Sequence, residues 1–242
     1  MHLITPSWAV PVGVEACSTT RQGGFSHAPW DSLNLGAHVG DAPESVQANR
    51  EHLAVLAGMP SQPVWLDQVH GTDVLQLTAT TPHSLRADAA YTRQRGVVCA
   101  VMTADCLPVL FASRDGKEVA AAHAGWRGLC AGVLEATLNA FISPPEEVIA
   151  WLGPAIGPAA FEVGPEVREA FLAVDPDDYV AFRPVGDKYF ADIWQLAKGR
   201  LRRQGLRHIT GGGLCTYSEP EQFFSYRREP ATGRMASLIW LR

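Results

Sequence analysis

Cys106 and His123 are the two residues of this sequence best placed to do chemistry together. Two apolar runs, 108–113 and 118–123, flank Arg114-Asp115-Gly116-Lys117. Asp-Gly between apolar segments is a strong short-range signal for a β-hairpin. A two-residue type I′ loop at Asp115 and Gly116 sets Arg114 against Lys117 and, counting back, Pro108 against His123. Cys106 then becomes the diagonal neighbour of His123 on the same face, roughly 7–8 Å away between Cα atoms. Side chains leaning over that gap can share a metal ion or a proton. His70 is a third candidate, because it stands where a strand runs into a Gly turn, in Gln68-Val69-His70-Gly71. Taken singly, each has an ordinary reading: a small buried hydrophobe, a satisfied core histidine and an exposed or structural one.

The elements that must position these residues follow from pattern. Residues 8–20 read as a first strand with Val10, Val12 and Val14 alternating, and 64–69, 73–77, 97–102, 148–152 and 235–241 as further strands. Asp41 with Glu44 three residues on suits a capping box, and Gly58 suits the end of that helix. After Gly128, the residues Leu129, Val133, Leu134, Leu138 and Phe141 form a helical stripe. Helices at 165–174 and 193–204 follow, the second capped by Asp192, with Arg200, Arg202 and Arg203 on a solvated face near its C-terminus. There is no repeat, linker or midpoint boundary, so residues 1–242 read as one domain of mixed strands and helices.

Composition removes several function classes. A formal charge of −5 argues against a nucleic-acid binder. No apolar stretch approaches the roughly 20 residues that span a bilayer, and the first residues lack the pattern of a secretory signal. Five scattered cysteines with no CxxC pair point away from disulfides and toward a reducing, cytoplasmic setting. A soluble monomer is the expectation. Two features suit an anion: Arg21 beside the Gly-rich Gln22-Gly23-Gly24, and Arg127 at a helix start, where a cation is unfavourable unless an anion binds beside it. Solvated surface arginines are the plainer alternative.

The segments Ser18-Thr19-Thr20-Arg21, Ser32-Leu33-Asn34-Leu35-Gly36, Asp67-Gln68-Val69-His70-Gly71 and Thr103-Ala104-Asp105-Cys106-Leu107-Pro108 stand in fixed order. They continue with His123-Ala124-Gly125-Trp126-Arg127-Gly128, Gly153-Pro154-Ala155-Ile156-Gly157-Pro158 and Phe224-Ser225-Tyr226-Arg227-Arg228. Together they resemble the YfiH family, also described as laccase-like multicopper polyphenol oxidases or as purine nucleoside phosphorylases, over essentially the whole chain. The resemblance implies an α+β fold of layered mixed sheets flanked by helices, related to a toxin-type cysteine deamidase. It implies a zinc site of His70, Cys106 and His123. It further implies phosphorolysis of adenosine, guanosine, inosine and methylthioadenosine, deamination of adenosine, and a link of some members to peptidoglycan precursors.

Three protein ligands with a fourth position open are the pattern of a catalytic zinc, which brings the pKa of bound water down to ~7. Deamination also needs a proton shuttle. Asp105 could supply it only if the chain kinks before Pro108, since neighbouring strand residues face opposite ways. For phosphorolysis, Arg21 and Arg127 are the candidate phosphate ligands and Asn34 a polar contact. A four-copper oxidase needs a His2Cys centre plus about eight further histidines, and the chain has eight in all. A single copper at the same three residues remains an alternative metal. A metal-free alternative makes Cys106 and His123 the nucleophile and base of an amidase.

Overall fold

The computed structural model describes residues 3–242; Met1 and His2 lie outside the described residues. The apolar runs become strands, with one early correction. After β1 (Leu3–Ile4), β2 spans only Val14–Thr19. Val12 is 98% exposed and Val10 is exposed too, so the alternation at 8–13 belongs to a loop and the strand starts where Val14 enters the core. The first helix, α1 (Pro43–Leu56), opens on Pro43, whose missing N–H costs nothing at that position. The capping box is absent: Ala42 is the N-cap and makes no side-chain bond. Asp41 is drawn away to accept from Ser26 Oγ at 2.6 Å and Asn34 Nδ2 at 2.9 Å. Gly58, at φ 63°, does follow the helix end in the left-handed conformation.

The run 64–69 is not a regular strand; it makes single bridges, Val64 to Cys99 and Asp67 to Arg86. Then come β3 (Val74–Gln76), β4 (Ala89–Thr92), β5 (Val98–Thr103), β6 (Leu107–Ser113) and β7 (Val119–Ala124). Every residue of β4 to β7 is buried, so these strands read as continuous apolar runs, as strands covered on both faces do. The expected register holds, with Pro108 opposite Ala124's neighbour His123. The turn does not: Gly116 is left-handed at φ 69°, and Asp115 is not among the positive-φ residues. Asp115 Oδ1 instead accepts from Ser113 Oγ at 2.7 Å and from the Lys117 N–H at 3.2 Å. Those local bonds support a four-residue loop in the same register.

The helix expected after Gly128 is two helices, α2 (Trp126–Ala131) and α3 (Val133–Asn139), broken at Gly132 with φ 104°. Its apolar stripe is buried throughout. The chain continues through β8 (Val148–Leu152), β9 (Glu162–Val163), α4 (Pro165–Val174), β10 (Phe182–Val185) and β11 (Lys188–Ala191). It ends with α5 (Ile193–Arg203), β12 (His208–Gly211) and β13 (Met235–Leu241). Asp192 caps α5 by accepting from the Gln195 N–H at 2.9 Å. Arg200 is not on a solvated face: it is buried and donates to Glu135 Oε1 and to the Cys130 carbonyl, both at 3.1 Å.

The layers are those of an α+β fold. A six-stranded sheet in the order β12-β8-β6-β7-β4-β3 packs against a four-stranded sheet ordered β1-β2-β13-β5, and β10-β11-β9 form a small third sheet. Between the two large sheets lie Val101 and Ile239 from one and Leu110, Ala121 and Trp151 from the other. The far face of the six-stranded sheet, with Val109 and Phe111, is covered by α2 to α5 through Leu129, Leu134, Phe171 and Leu196. Leu53 of α1 covers the far face of the four-stranded sheet. Each large side chain so buried contributes about 1.5–3 kcal/mol. This packing makes the ends of β5, β6 and β7 a rigid platform.

Candidate metal centre

His123 stands near the end of β7, and Cys106 lies on the bend that links β5 to β6. His70 reaches the same point from the loop before β3. The ligand atoms of His70, Cys106 and His123 all lie within 4.8 Å of one another, and the two imidazole centroids are 4.8 Å apart. Among the described residues this is the one cluster of three or more such side chains that could hold an ion.

One buried carboxylate holds two of the three in place. Asp88, just before β4, accepts from His123 Nδ1 at 2.8 Å. The same carboxylate accepts the backbone N–H groups of Val69 at 3.2 Å, His70 at 2.9 Å and Gly71 at 2.7 Å. His70 has φ 60°, a conformation that costs roughly 1–3 kcal/mol for a residue with a Cβ, and these three bonds sustain it. An ionised carboxylate only accepts, so Nδ1 of His123 carries a proton toward Asp88 and Nε2 is the atom turned to the cluster, from which a bound metal ion would displace the second proton. Gly125 completes the cradle. A Cβ there would sit 2.7 Å from His70 Nδ1 and 3.0 Å from Cys106 Sγ.

The charges fit this role. Burial, together with the neighbouring His123, holds the His70 imidazole below its ordinary pKa, so at neutral pH it keeps a free lone pair. For His123, burial opposes a charge but is outweighed by the Cys106 sulfur and the Asp88 carboxylate, which lift it to about 9. That same site favours any cation, a metal ion included. Burial alone would raise Asp88, yet the bonds from His123, Gly71 and Val69 hold its carboxyl below the usual range. Two imidazoles and a thiolate, with an outer carboxylate on one histidine, are donors that suit Zn(2+) or copper. One cluster holds too few ligands for a four-copper centre.

The cluster opens into a cleft of about 660 Å³, a volume that suits a small-molecule ligand. Of the residues expected to bind anions, Arg127 lines it, in the first turn of α2 with its guanidinium 4.5 Å from the Trp126 ring centre. Arg21 and Asn34 do not line it. Arg21 donates to the carbonyls of Asp31 at 2.9 Å and Pro220 at 3.1 Å and lies over Phe224. Asn34 is buried and accepts the N–H groups of Gly36 at 3.0 Å and Arg234 at 2.9 Å, so it shapes the wall from behind. Asp105 lines the cleft, and the chain does kink there, at φ 92°. Its oxygens are already engaged by Thr216 Oγ1 at 2.6 Å and the Arg227 N–H at 2.7 Å.

Sequence reasoning missed Asp88, Arg227 and Arg234. Arg227 and Arg234 both line the cleft beside Tyr226. Asp88 had a usable signal, a lone carboxylate between Ala87 and Ala89 where an apolar strand begins. Arg227 had one too, its place in the segment Phe224-Ser225-Tyr226-Arg227-Arg228, whereas Arg234 had none, because a loop distant in sequence brings it in.

Comparisons with known proteins agree with this fold. A protein-family model described as "Multi-copper polyphenol oxidoreductase laccase" matches residues 15–242. "Purine nucleoside phosphorylase YfiH" of Escherichia coli (strain K12) is 64% identical over 239 residues, covering 99% of this chain and 98% of that protein. A protein of Pseudomonas aeruginosa, also named a purine nucleoside phosphorylase, is 53% identical with 99% and 98% covered. The crystal structure of a Neisseria meningitidis protein superposes with a TM-score of 0.96 at 49% identity, covering 100% of this chain and 99% of the other. YlmD from Geobacillus stearothermophilus superposes at 0.91 with 30% identity and 100% of both chains covered.

Proposed function

The chain belongs to the family described as multi-copper polyphenol oxidoreductase laccase, and from that premise we propose that it is a zinc-dependent purine nucleoside phosphorylase. The relatives at 64% and 53% identity carry the name purine nucleoside phosphorylase, which supports this reading. Its substrates are adenosine, guanosine, inosine and methylthioadenosine, with inorganic phosphate. Deamination of adenosine is a second activity of the same site. The observation that carries the reading is the cluster of His70, Cys106 and His123 facing a cleft that three guanidinium groups also line.

In phosphorolysis a phosphate oxygen bonds to C1′ of the ribose, the C1′–N9 bond breaks, and the electron pair leaves with the purine. Arg127, Arg227 and Arg234 seat the phosphate, since a guanidinium matches its oxygens in pairs. Trp126, Phe161 and Tyr226 offer aromatic surface for the purine and help exclude water. His70, Cys106 and His123 would hold Zn(2+), which acts as a Lewis acid on a ligand oxygen when bound. Asp88 orients the His123 ring and holds the backbone of the loop that presents His70.

The test is elemental analysis of protein purified without added metal, paired with inosine phosphorolysis in phosphate buffer. About one zinc per chain, lost together with phosphorolysis in His70→Ala, supports the proposal. Metal-free protein with no phosphorolysis ends it. In that case the His123–Asp88 bond of 2.8 Å favours a second reading, a Cys106-His123-Asp88 amidase whose thiol alkylates quickly at neutral pH. Copper at the same three donors is the setting in which polyphenol oxidation would arise, as a property of a substituted metal.

A further inference from the structure

The polar side chains that line the cleft divide into those already bonded within the protein and those left open. Asp105 is held by Thr216 and Arg227, and Gln68 bonds both ways to the Met102 backbone, at 2.8 and 2.7 Å. Arg227 donates to the Glu162 carbonyl at 2.9 Å, and Arg234 to the Gly233 carbonyl at 3.0 Å. Among the described residues, no side-chain hydrogen bond engages His38 or Asp67, although both line the cleft. His38, Asp67 and Arg234 all line this one cleft, and the charges of Asp67 and Arg234 both act on His38. His38 belongs to the loop beyond Gly36, and that loop packs on the Arg234 side chain. Asp67 precedes the metal-binding loop and is fixed by backbone bonds to Leu85 and Ala87. Two open hydrogen-bonding groups therefore stand beside an arginine, in the cleft that the candidate metal cluster shares.

We propose that His38 and Asp67 form the nucleobase-reading end of the cleft, receiving the hydrogen-bonding edge of both 6-oxopurines and 6-aminopurines. This rests on the phosphorylase reading above and gives it a basis for accepting both classes. A 6-oxopurine presents an N1–H donor and an O6 acceptor; a 6-aminopurine presents an N6–H donor and an N1 acceptor. The Asp67 carboxylate accepts from either donor. Neutral imidazole always carries one N–H, so it can meet O6 or N1 as a donor while Asp67 accepts from N1–H or N6–H. Desolvation, with the Arg234 charge beside it, holds His38 below its ordinary pKa, which keeps it neutral.

Zinc-loaded parent, His38→Phe and Asp67→Asn proteins are compared for kcat/KM on inosine and adenosine, and for Kd of both nucleosides by calorimetry. A loss of about tenfold in kcat/KM and in affinity for both nucleosides, in each variant, with phosphate KM unchanged, is the expected result. Values within twofold of the parent for both nucleosides in both variants overturn the assignment. The calorimetric affinities keep the question open to decision if the parent shows no turnover. In that event the phosphorylase reading fails, while nucleoside binding still supports or refutes the pair.

Discussion

The two sides of the cleft are built on different principles. On the metal side, His123 sits on a strand buried on both faces, and Asp88 ties its ring to the loop that carries His70. On the opposite side, Arg227, Arg234, Tyr226 and His38 stand on loops and meet through contacts far apart in sequence, such as Asn34 with Arg234 at a separation of 200 residues. The contrast teaches a division of labour. The strand side has its geometry fixed before any ligand arrives, as metal coordination demands, while the loop side offers charge and open hydrogen-bonding groups to something that varies.

The largest effect should follow from attacking the fixed side. Cys106→Ser removes the thiolate donor, and phosphorolysis should fall on the order of a thousandfold along with bound zinc, read by elemental analysis and initial rates. Asp88→Asn keeps the shape but ends the carboxylate's hold on both histidines, so metal affinity should drop by about 10–100-fold in a chelator competition. Gly125→Ala pushes a methyl group into the space of His70; a displacement approaching 1 Å costs roughly a hundredfold or less in rate. An undisturbed metal affinity in both of the last two would erase the distinction between the sides. On the loop side, Arg127→Ala should raise the phosphate KM by about tenfold while leaving zinc in place, a loss of one exposed charged contact. Arg21→Ala sharpens the contrast from outside the cleft: its phosphate KM should stay that of the parent, with stability lowered by about 1 kcal/mol in thermal unfolding.

The same division decides what could be read from sequence. Cys106 and His123 were placed together by counting along one hairpin, and the register survived even though the turn at Asp115 and Gly116 took another form. The period of the apolar residues located the stripe of α2 and α3, because one buried face dictates it, and the Asp192 cap located the start of α5. Where side chains compete with the local pattern, the reading failed. Asp41 left its capping position for Ser26 and Asn34, and Arg200 turned inward to Glu135. Arg21 and Asn34 carry the right chemistry for a ligand yet spend it on neighbouring backbone and side-chain groups. Which arginine faces the cleft depends on how loops cross, and neither spacing nor periodicity records that.

The position of β13 has a consequence for how this molecule comes into being. It lies between β2 and β5, so that Ser237 meets Ser18 at a sequence separation of 219 residues. The four-stranded sheet cannot close until residues 235–241 have been synthesised, and long-range pairing of this kind is slow because the loop entropy is spent before the contacts form. Arg234 directly precedes that strand. Assembly of the cleft is thus a late event after synthesis, and until then the apolar edges of β2 and β5 stand unpaired and open to aggregation or to a chaperone.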